Sequence, residues 1–241
     1  MIKRIEVLPE ILGKSVFTAR IEAILNTYRD SVGVDLFSQT VAGRLPAVFG
    51  GIDNSFTLIC FDNTDFDELN RYFSFCNTIV FCDGGAAEKL SAKTARKAMV
   101  YEYRGSVKQT QFPNEAGRGS IADLYKLLQN GTDGDIELPP FKYWYTDFCA
   151  RFNHLSAEYF MMDNAAAAAG FVTESYSLIT GVAVDKTCRG KGFGKTVLSG
   201  LIHNIALKYP HSKIIAVTEN ASGFYENLSF KYCGDIQVCE Y

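Results

Sequence analysis

With 241 residues, a formal net charge of −3 and 21% charged residues, the chain has the size and balance of a globular protein of one large or two modest domains. The weak negative charge argues against general nucleic-acid binding, because affinity for a phosphate backbone needs a broad basic surface. No apolar stretch approaches the roughly twenty residues of a membrane span, and the N-terminal sequence MIKRIEVLPEILG lacks the apolar core of a signal peptide. We therefore expect a cytoplasmic protein that binds neither nucleic acid nor membranes.

The cysteines and histidines do not form a metal-binding pattern. The seven cysteines include no CxxC pair, and the three histidines are scattered singly along the chain. Reduced thiols in a cytosolic protein account for this usage. We predict that the protein binds no metal ion.

Residues 1–95 alternate between helix and strand patterns, which indicates a small α/β domain. Glycine, aspartate and asparagine over 50–54 predict a turn, and Thr64 is predicted to cap a helix over 64–75. Asp83-Gly84-Gly85 predicts a tight turn. The other predicted elements are a helix over 15–29 and strands over 34–41, 45–49, 55–61 and 78–82. Three roles for this domain stay open: a substrate lid, an interface, or a degenerate repeat of the second half.

Residues 96–241 carry the pattern of a second domain. Ser120 is predicted to cap a helix that has Asp123 in its first turn, and Gly117-Arg118-Gly119 is predicted to form a turn before that helix. Asp163-Asn164 is predicted to form the turn of a β-hairpin. The predicted strands cover 97–103, 157–162, 165–173, 177–184, 214–217 and 230–238, and the predicted helices cover 120–129, 141–154 and 193–209 with a shorter one around Tyr225.

A basic, glycine-rich loop follows the strand that ends near Asp185. Glycines at 190, 192 and 194 let backbone N–H groups approach a ligand closely, and the helix that begins at Phe193 presents free N–H donors and a positive dipole end. The basic residues around the loop are Lys186, Arg189, Lys191 and Lys195. This pattern predicts a ligand that carries phosphate, whereas a plain strand-to-helix turn is the alternative.

Two common phosphate-binding motifs fail by one residue. A Walker loop would need glycine at the position of Arg189, five residues before Gly194-Lys195-Thr196. A dinucleotide fingerprint that starts at Gly190 would need its third glycine at the position of Lys195. The loop therefore belongs to a different class of phosphate site.

The loop fits the pattern R-x-x-G-x-G through Arg189, Gly192 and Gly194, and a later segment reads Tyr-Glu-Asn-Leu-Ser-Phe over 225–230. Together they resemble the GNAT superfamily of N-acetyltransferases, in which such a loop holds the pyrophosphate of coenzyme A. The later segment is similar to the family pattern Tyr-Glu-x-Leu-Gly-Phe, with Ser229 in place of the usual glycine. The resemblance implies a GNAT-like α/β fold over 96–241, a mixed and mostly antiparallel sheet flanked by helices, preceded by the small α/β domain.

The resemblance also implies a coenzyme A site. The loop would hold the pyrophosphate, and the strand before it would hold the pantetheine arm and the acetyl group. In the family an asparagine ahead of the tyrosine often contacts the pantetheine arm. Asn220 lies closer to Tyr225 than is usual for that asparagine, and Ser222 is a further candidate for the contact. The implied cofactor-binding residues are Val182, Ala183, Val184, Arg189, Gly190, Lys191, Gly192, Phe193, Gly194, Lys195, Asn220 and Tyr225.

Two catalytic roles are expected for an acetyltransferase. Tyr225 matches the family position of the residue that protonates the leaving thiolate, with packing on the pantetheine arm as the alternative. The acceptor amine must lose a proton, since the pKa of a lysine-like amine is about 10.4. Glu174 is the first candidate for the general base, with Glu158 and His154 behind it, and a water chain is the alternative.

We expect the enzyme to move an acetyl group from acetyl-CoA directly to a primary amine of a small molecule or a peptide. A non-catalytic acyl-CoA-binding sensor or regulatory protein is the alternative reading. An amino sugar, an amino acid, a polyamine, an antibiotic and a protein N-terminus all stay open as acceptors, as does a homodimer. The aromatic residues of helix 141–154 are expected to line the acceptor pocket, with helix packing as the alternative: Phe141, Tyr143, Trp144, Tyr145 and Phe148.

Overall fold

The structure is a computed structural model that describes residues 1–28, 33–106, 119–131 and 138–241. The chain divides into two compact units, of which the first is Met1–Val100 with Cys233–Tyr241 and the second is Tyr101–Tyr232. The proposed domains 1–95 and 96–241 stay a prediction. The C-terminal residues of the chain join the first unit because the last strand pairs with a strand there, a long-range contact that no local pattern reveals.

The first unit is a mixed sheet with helices. The strands follow the order β1-β2-β3-β4-β5-β11, antiparallel throughout except that β4 and β5 run parallel. Its elements are β1 (Ile2–Arg4), α1 (Val16–Tyr28), β2 (Val34–Val41), β3 (Arg44–Ile52), β4 (Ser55–Cys60), α2 (Phe66–Cys76), β5 (Ile79–Cys82), α3 (Gly84–Ala87), the start of β6 (Thr94–Tyr103) and the end of β11 (Phe230–Glu240). Rings of Phe49, Phe56 and Phe73 meet at centroid distances of 5.1 to 6.4 Å in its core.

Three local predictions for this unit are wrong. The predicted tight turn at Asp83-Gly84-Gly85 is the start of α3, for which Asp83 is the N-cap. The predicted turn over 50–54 begins too early, because β3 continues to Ile52 and only Asp53 and Asn54 turn. Gly51 is a strand residue that allows the backbone at Ser55 to approach it closely. The N-cap of α2 is Asp65 rather than Thr64, since the Asp65 carboxylate accepts from the backbone N–H of Glu68 at 3.0 Å.

The second unit contains the predicted hairpin and the strand before the glycine loop. Strand order is β6-β10-β9-β8-β7, with antiparallel pairs from β7 to β9 and a parallel pair of β9 with β10. Its elements are the end of β6, α4 (Ile121–Gly131), α5 (Phe141–Asn153), β7 (Glu158–Met162), β8 (Ala165–Val172), β9 (Tyr176–Val184), α6 (Phe193–Lys208), β10 (Lys213–Thr218), α7 (Ser222–Glu226) and the start of β11. Of the predicted turn at 117–119, the first two residues lie outside the described residues.

Helices cover both faces of the sheet in the second unit. Helices α4 and α5 pack on one face, where Trp144 and Phe148 contact the alanines at 166 and 168 of β8. The alternation of a strand turns Phe160 of β7 to the other face, and there it packs against Gly200 of α6. This arrangement confirms the expected mixed and mostly antiparallel sheet flanked by helices.

The two units share one order of elements. Each has a helical segment, three antiparallel strands, a crossover helix, a strand parallel to the third one, a short helix and a long strand. In the first unit the crossover helix is α2, and in the second it is α6. The role of the first unit as a substrate lid, an interface or a degenerate repeat stays a prediction.

Among the described residues, no helix combines the length and the apolar character needed to cross a membrane. The same residues contain no group of three or more histidine, cysteine, aspartate or glutamate side chains that could share a metal ion.

Candidate active site

The parallel pair of β9 and β10 brings the two sequence motifs to one edge of the sheet. The pairs run from Lys213 with Tyr176 to Ala216 with Ile179, so both strands end on the same side. Strand β9 leads there into the glycine loop, and β10 leads into α7, which carries Tyr225. The motif residues are therefore neighbours although about thirty residues separate them in sequence.

The backbone of the glycine loop is open at two of its glycines. Asp185 caps a short 3-10 turn, Lys186–Cys188, and Gly190 and Gly192 follow with φ angles of 74° and 85°. Only glycine adopts such left-handed angles without strain. Apart from the adjacent residues, no atom of the described part of the chain lies within 4 Å of the position that a Cβ atom would take at either glycine, so a ligand can approach the backbone there.

Helix α6 begins directly at this loop. Gly192 is its N-cap, and no side chain caps the helix in this described segment. The first intrahelical bond runs from the Thr196 N–H to the Gly192 carbonyl at 3.1 Å. The N–H groups of Phe193, Gly194 and Lys195 therefore have no carbonyl partner one turn earlier in the helix, and they add to the positive end of the dipole.

The glycine loop, the start of α6 and the region of α7 line a cleft of about 360 Å³. Its lining includes seven residues that the sequence predicted: Val184, Arg189, Gly190, Gly192, Phe193, Gly194 and Lys195. It also includes four that the sequence reasoning did not select: Cys188, Phe224, Asn227 and Leu228. Three of these flank Tyr225, so the Tyr-Glu-Asn-Leu motif was a signal that could have identified them.

Arg189 and Lys191 stabilise the loop by donating to backbone carbonyls. The Arg189 guanidinium donates from Nη2 to the Gly131 carbonyl at 2.7 Å and from Nε to the Val184 carbonyl at 3.4 Å. The Lys191 ammonium donates to the Thr187 carbonyl at 3.2 Å. Both positive charges stay near the cleft, and the two side chains also fix the path of the chain.

Asp185 is the one acid among these basic residues. Its carboxylate accepts from the backbone N–H of Thr187 at 2.9 Å and from the Thr187 hydroxyl at 2.5 Å. These hydrogen bonds lower the pKa of Asp185 below its usual value. The Asp185 charge is thus used to cap the 3-10 turn.

Tyr225 lies behind the cleft lining in a cluster of rings. Its side chain is 6% exposed, with its ring stacked on Tyr101 at 6.3 Å and against Phe224 and Phe230 at 5.2 and 5.3 Å. Burial raises the pKa of Tyr225 to about 12. The phenol is therefore protonated throughout the neutral range, and Tyr225 is not one of the residues that line the cleft.

The strand residues Val182, Ala183 and Val184 pair with β8 on one side only. Strand β8 meets them at residues 165–167, whereas the pairs of β9 with β10 end at Ile179. Along 180–184 the β10 side of β9 therefore carries no strand pairing in the part of the chain described. Of the three residues only Val184 lines the cleft at the glycine loop, and Ala183 is buried with 1% exposure.

Glu174 and its two alternates lie away from the glycine loop. Glu174 is exposed in the turn before β9, eight positions before Val182, which at the rise of a strand is a distance on the order of 25 Å. Glu158 is buried at the start of β7 in an ion pair with Lys208, and His154 ends α5. The structure does not bring these side chains to the loop.

Asn220 lies in the exposed segment between β10 and α7, at the same sheet edge as the loop but outside the cleft lining. The aromatic residues of α5 divide into two groups. Trp144 and Phe148 are buried and stacked at 4.8 Å, so they are core residues. The exposed group, which could meet an acceptor, consists of Phe141, Tyr143 and Tyr145, with 45%, 68% and 39% exposure.

Comparisons with known proteins find one matching family model and several solved structures with a similar fold. Residues 159–238 match the model of the FR47-like protein family, which is related to the GNAT enzymes. A search of curated proteins finds no significant match. Among solved structures, a GNAT-family acetyltransferase from Colwellia psychrerythraea superposes with a TM-score of 0.56 at 13% identity, over 100% of this chain and 99% of that chain.

Two further structures are similar over nearly their whole length. A tandem GNAT protein from the clavulanic acid biosynthesis pathway has a TM-score of 0.57 at 10% identity, over 100% of this chain and 98% of that one. A GCN5-related N-acetyltransferase from Kribbella flavida has a TM-score of 0.58 at 13% identity, over 93% and 94%. The chain therefore has the fold of the GNAT acetyltransferases, as its two motifs indicated.

Proposed function

We propose that the protein is an N-acetyltransferase that moves an acetyl group from acetyl-CoA directly to a primary amine. The observation that carries this proposal is the cleft at the end of β9. An open glycine loop, the uncapped start of α6 and the segment after Tyr225 meet there. This combination suits a phosphate-bearing ligand with a long arm that extends along a strand.

The residues present fit coenzyme A. The open backbone at Gly190 and Gly192, with the N–H groups of the first turn of α6, would hold the pyrophosphate. Lys195, which lines the cleft, would add a positive charge. The cleft volume of about 360 Å³ lies in the usual range of small-molecule sites.

Strand β9 would orient the reacting group. When bound, acetyl-CoA supplies the acetyl group as a thioester. Backbone N–H groups along residues 182–184 would donate to the carbonyl oxygen, where negative charge develops. Holding both reactants beside one strand would also supply part of the rate increase through proximity.

Two proton transfers complete the reaction. Tyr225 keeps its proton at neutral pH and would donate it to the departing sulfur, after a small movement of Phe224. Removing a proton from an amine of pKa about 10.4 costs about 4–5 kcal/mol at pH 7. Because Glu174 lies at the far end of β9, we propose that a water chain carries this proton.

The chain is proposed to have one coenzyme A site. The segment of the first unit that corresponds to the glycine loop is residues 61–65, with the sequence Phe-Asp-Asn-Thr-Asp. It has neither glycine nor a basic residue, and Asp65 caps the following helix. Asp67 and Glu68 add negative charge in the first turn of that helix, which would repel a pyrophosphate.

Calorimetric titration of acetyl-CoA tests the site. We expect binding by the wild type, and binding at least tenfold weaker for Lys195→Ala, which removes a charge from the cleft. The matched control is Lys126→Ala on α4, an exposed lysine paired with Asp123 at 3.0 Å, which should bind as the wild type does. No binding by the wild type would overturn the proposal.

A thiol-release assay with a panel of primary amines then tests the reaction. Release of coenzyme A with at least one amine, lost in Tyr225→Phe, is the expected result. Binding of acetyl-CoA without release for any amine would instead identify an acyl-CoA-binding sensor.

A further inference from the structure

The pairing of β8 with β9 is distorted at one place. Ala168 pairs with Gly181, but the next pair is Ala169 with Ile179, and the regular register returns at Phe171 with Leu178. Thr180 on β9 and Gly170 on β8 are therefore both left out of the ladder. Such paired irregularities bend and twist a strand locally.

Arg151 of α5 bonds to this distortion. Its Nη1 donates to the Gly170 carbonyl at 2.7 Å, so an acceptor that left the ladder is bonded to a charged donor. The guanidinium also lies 4.9 Å from the ring centroid of Phe171, and its Nη2 forms an ion pair with Asp147 one turn earlier in α5. Only 12% of the Arg151 side chain is exposed.

The opposing strand is close-packed at the same point. A Cβ atom on Gly170 would lie 2.8 Å from Cγ2 and 3.0 Å from Oγ1 of Thr180, so only glycine fits beneath the threonine. The same Cβ would lie 3.3 Å from Nη1 of Arg151. Thr180, Gly170 and Arg151 thus form one contact cluster that fixes the backbone conformation two residues before Val182.

We propose that Arg151, held by Asp147, is a positioning residue that sets the β9 backbone for the thioester carbonyl. This inference rests on the proposed function. The distorted segment immediately precedes residues 182–184, whose N–H groups are proposed to meet that carbonyl. Without Arg151 the Gly170 carbonyl lacks this donor, and residues 169–170 and 179–180 are free to pair regularly, which would remove the local bend that orients the N–H groups of the segment that follows.

The test compares two ligands that differ only at the thioester, acetyl-CoA and free coenzyme A, by calorimetry. The wild type should bind acetyl-CoA at least fivefold more tightly than coenzyme A. In Arg151→Ala this preference should disappear while the affinity for coenzyme A stays within twofold. The carbonyl resonance of acetyl-CoA labelled with ¹³C at that carbon should shift downfield on binding to the wild type, and not on binding to Arg151→Ala.

Further variants keep the test decisive. Arg151→Lys retains one donor for Gly170 and should recover part of the preference. Asp147→Asn leaves the arginine in place without its anchor, and should reduce the preference even if Arg151→Ala does not fold. Lys126→Ala, which removes an exposed cation of the same unit, is the control and should keep the full preference.

The outcomes separate the two proposals. A wild-type preference for acetyl-CoA that persists in a folded Arg151→Ala or, failing that, in Asp147→Asn would overturn the positioning role. Equal binding of both ligands by the wild type would also overturn it, while leaving the coenzyme A site intact. Absence of binding to either ligand would remove the proposed function and the inference together.

Discussion

Replacing Ser229 by glycine should stabilise the protein. Ser229 has a φ angle of 67°, in the left-handed region, at the motif position where the related pattern has glycine. Its carbonyl accepts from the Arg104 N–H at 2.9 Å, which helps to hold the conformation between α7 and β11. A non-glycine residue in this region costs about 1–2 kcal/mol.

The net gain is smaller than the relieved strain. Glycine has more freedom in the unfolded chain, which subtracts about 0.5–1 kcal/mol. We therefore expect Ser229→Gly to raise the free energy of unfolding by about 0.5–1 kcal/mol. For a chain of this length that corresponds to an increase of about 1–4 °C in Tm.

Urea unfolding and thermal melts of three proteins provide the measurement. Ser229→Ala is the matched control, because it removes the hydroxyl but keeps the Cβ atom that causes the strain, and it should show no gain. Asn227 and Leu228, which precede Ser229, line the cleft, so calorimetry should show acetyl-CoA affinity within twofold of the wild type for both variants. If Ser229→Gly is less stable than the wild type, or if Ser229→Ala gains as much, backbone strain at this position is refuted.

Three further predictions concern the site. Arg189→Ala removes the hydrogen bonds that the guanidinium donates to the Val184 and Gly131 carbonyls, so it should weaken acetyl-CoA binding at least tenfold and lower Tm. Unchanged binding would show that the loop keeps its shape without these hydrogen bonds. Titration to saturation should give one acetyl-CoA per chain, whereas two would contradict the argument from the acidic segment of the first unit. The raised pKa of Tyr225 means that the folded state holds a proton from about pH 10 to about pH 12 that the unfolded state has lost, so stability falls over that range. In urea titrations Tyr225→Phe should make this alkaline fall shallower by about 1.4 kcal/mol per pH unit, and an identical slope in both proteins would refute the shift.

The sequence could predict those parts of the site whose geometry is local. The open backbone at Gly190 and Gly192 and the start of α6 at Phe193 depend on neighbouring residues in the chain, so the glycine pattern and the helical spacing indicated them. The Asp163-Asn164 turn and its hairpin are confirmed for the same reason. The turn over 50–54 was misplaced because Gly51 serves a close approach of β4, a contact outside its own segment.

By itself, then, the sequence determined the fold class and predicted a phosphate-binding loop, because periodicity, glycines and charge act over a few residues. The tertiary structure alone decided which side chains face the cleft. It buried Tyr225 among rings, directed Arg189 to the Gly131 carbonyl, and left Glu174 at the far end of β9. It also placed Arg151 beside Gly170, since a strand distortion and the helix that bonds to it meet only through long-range packing.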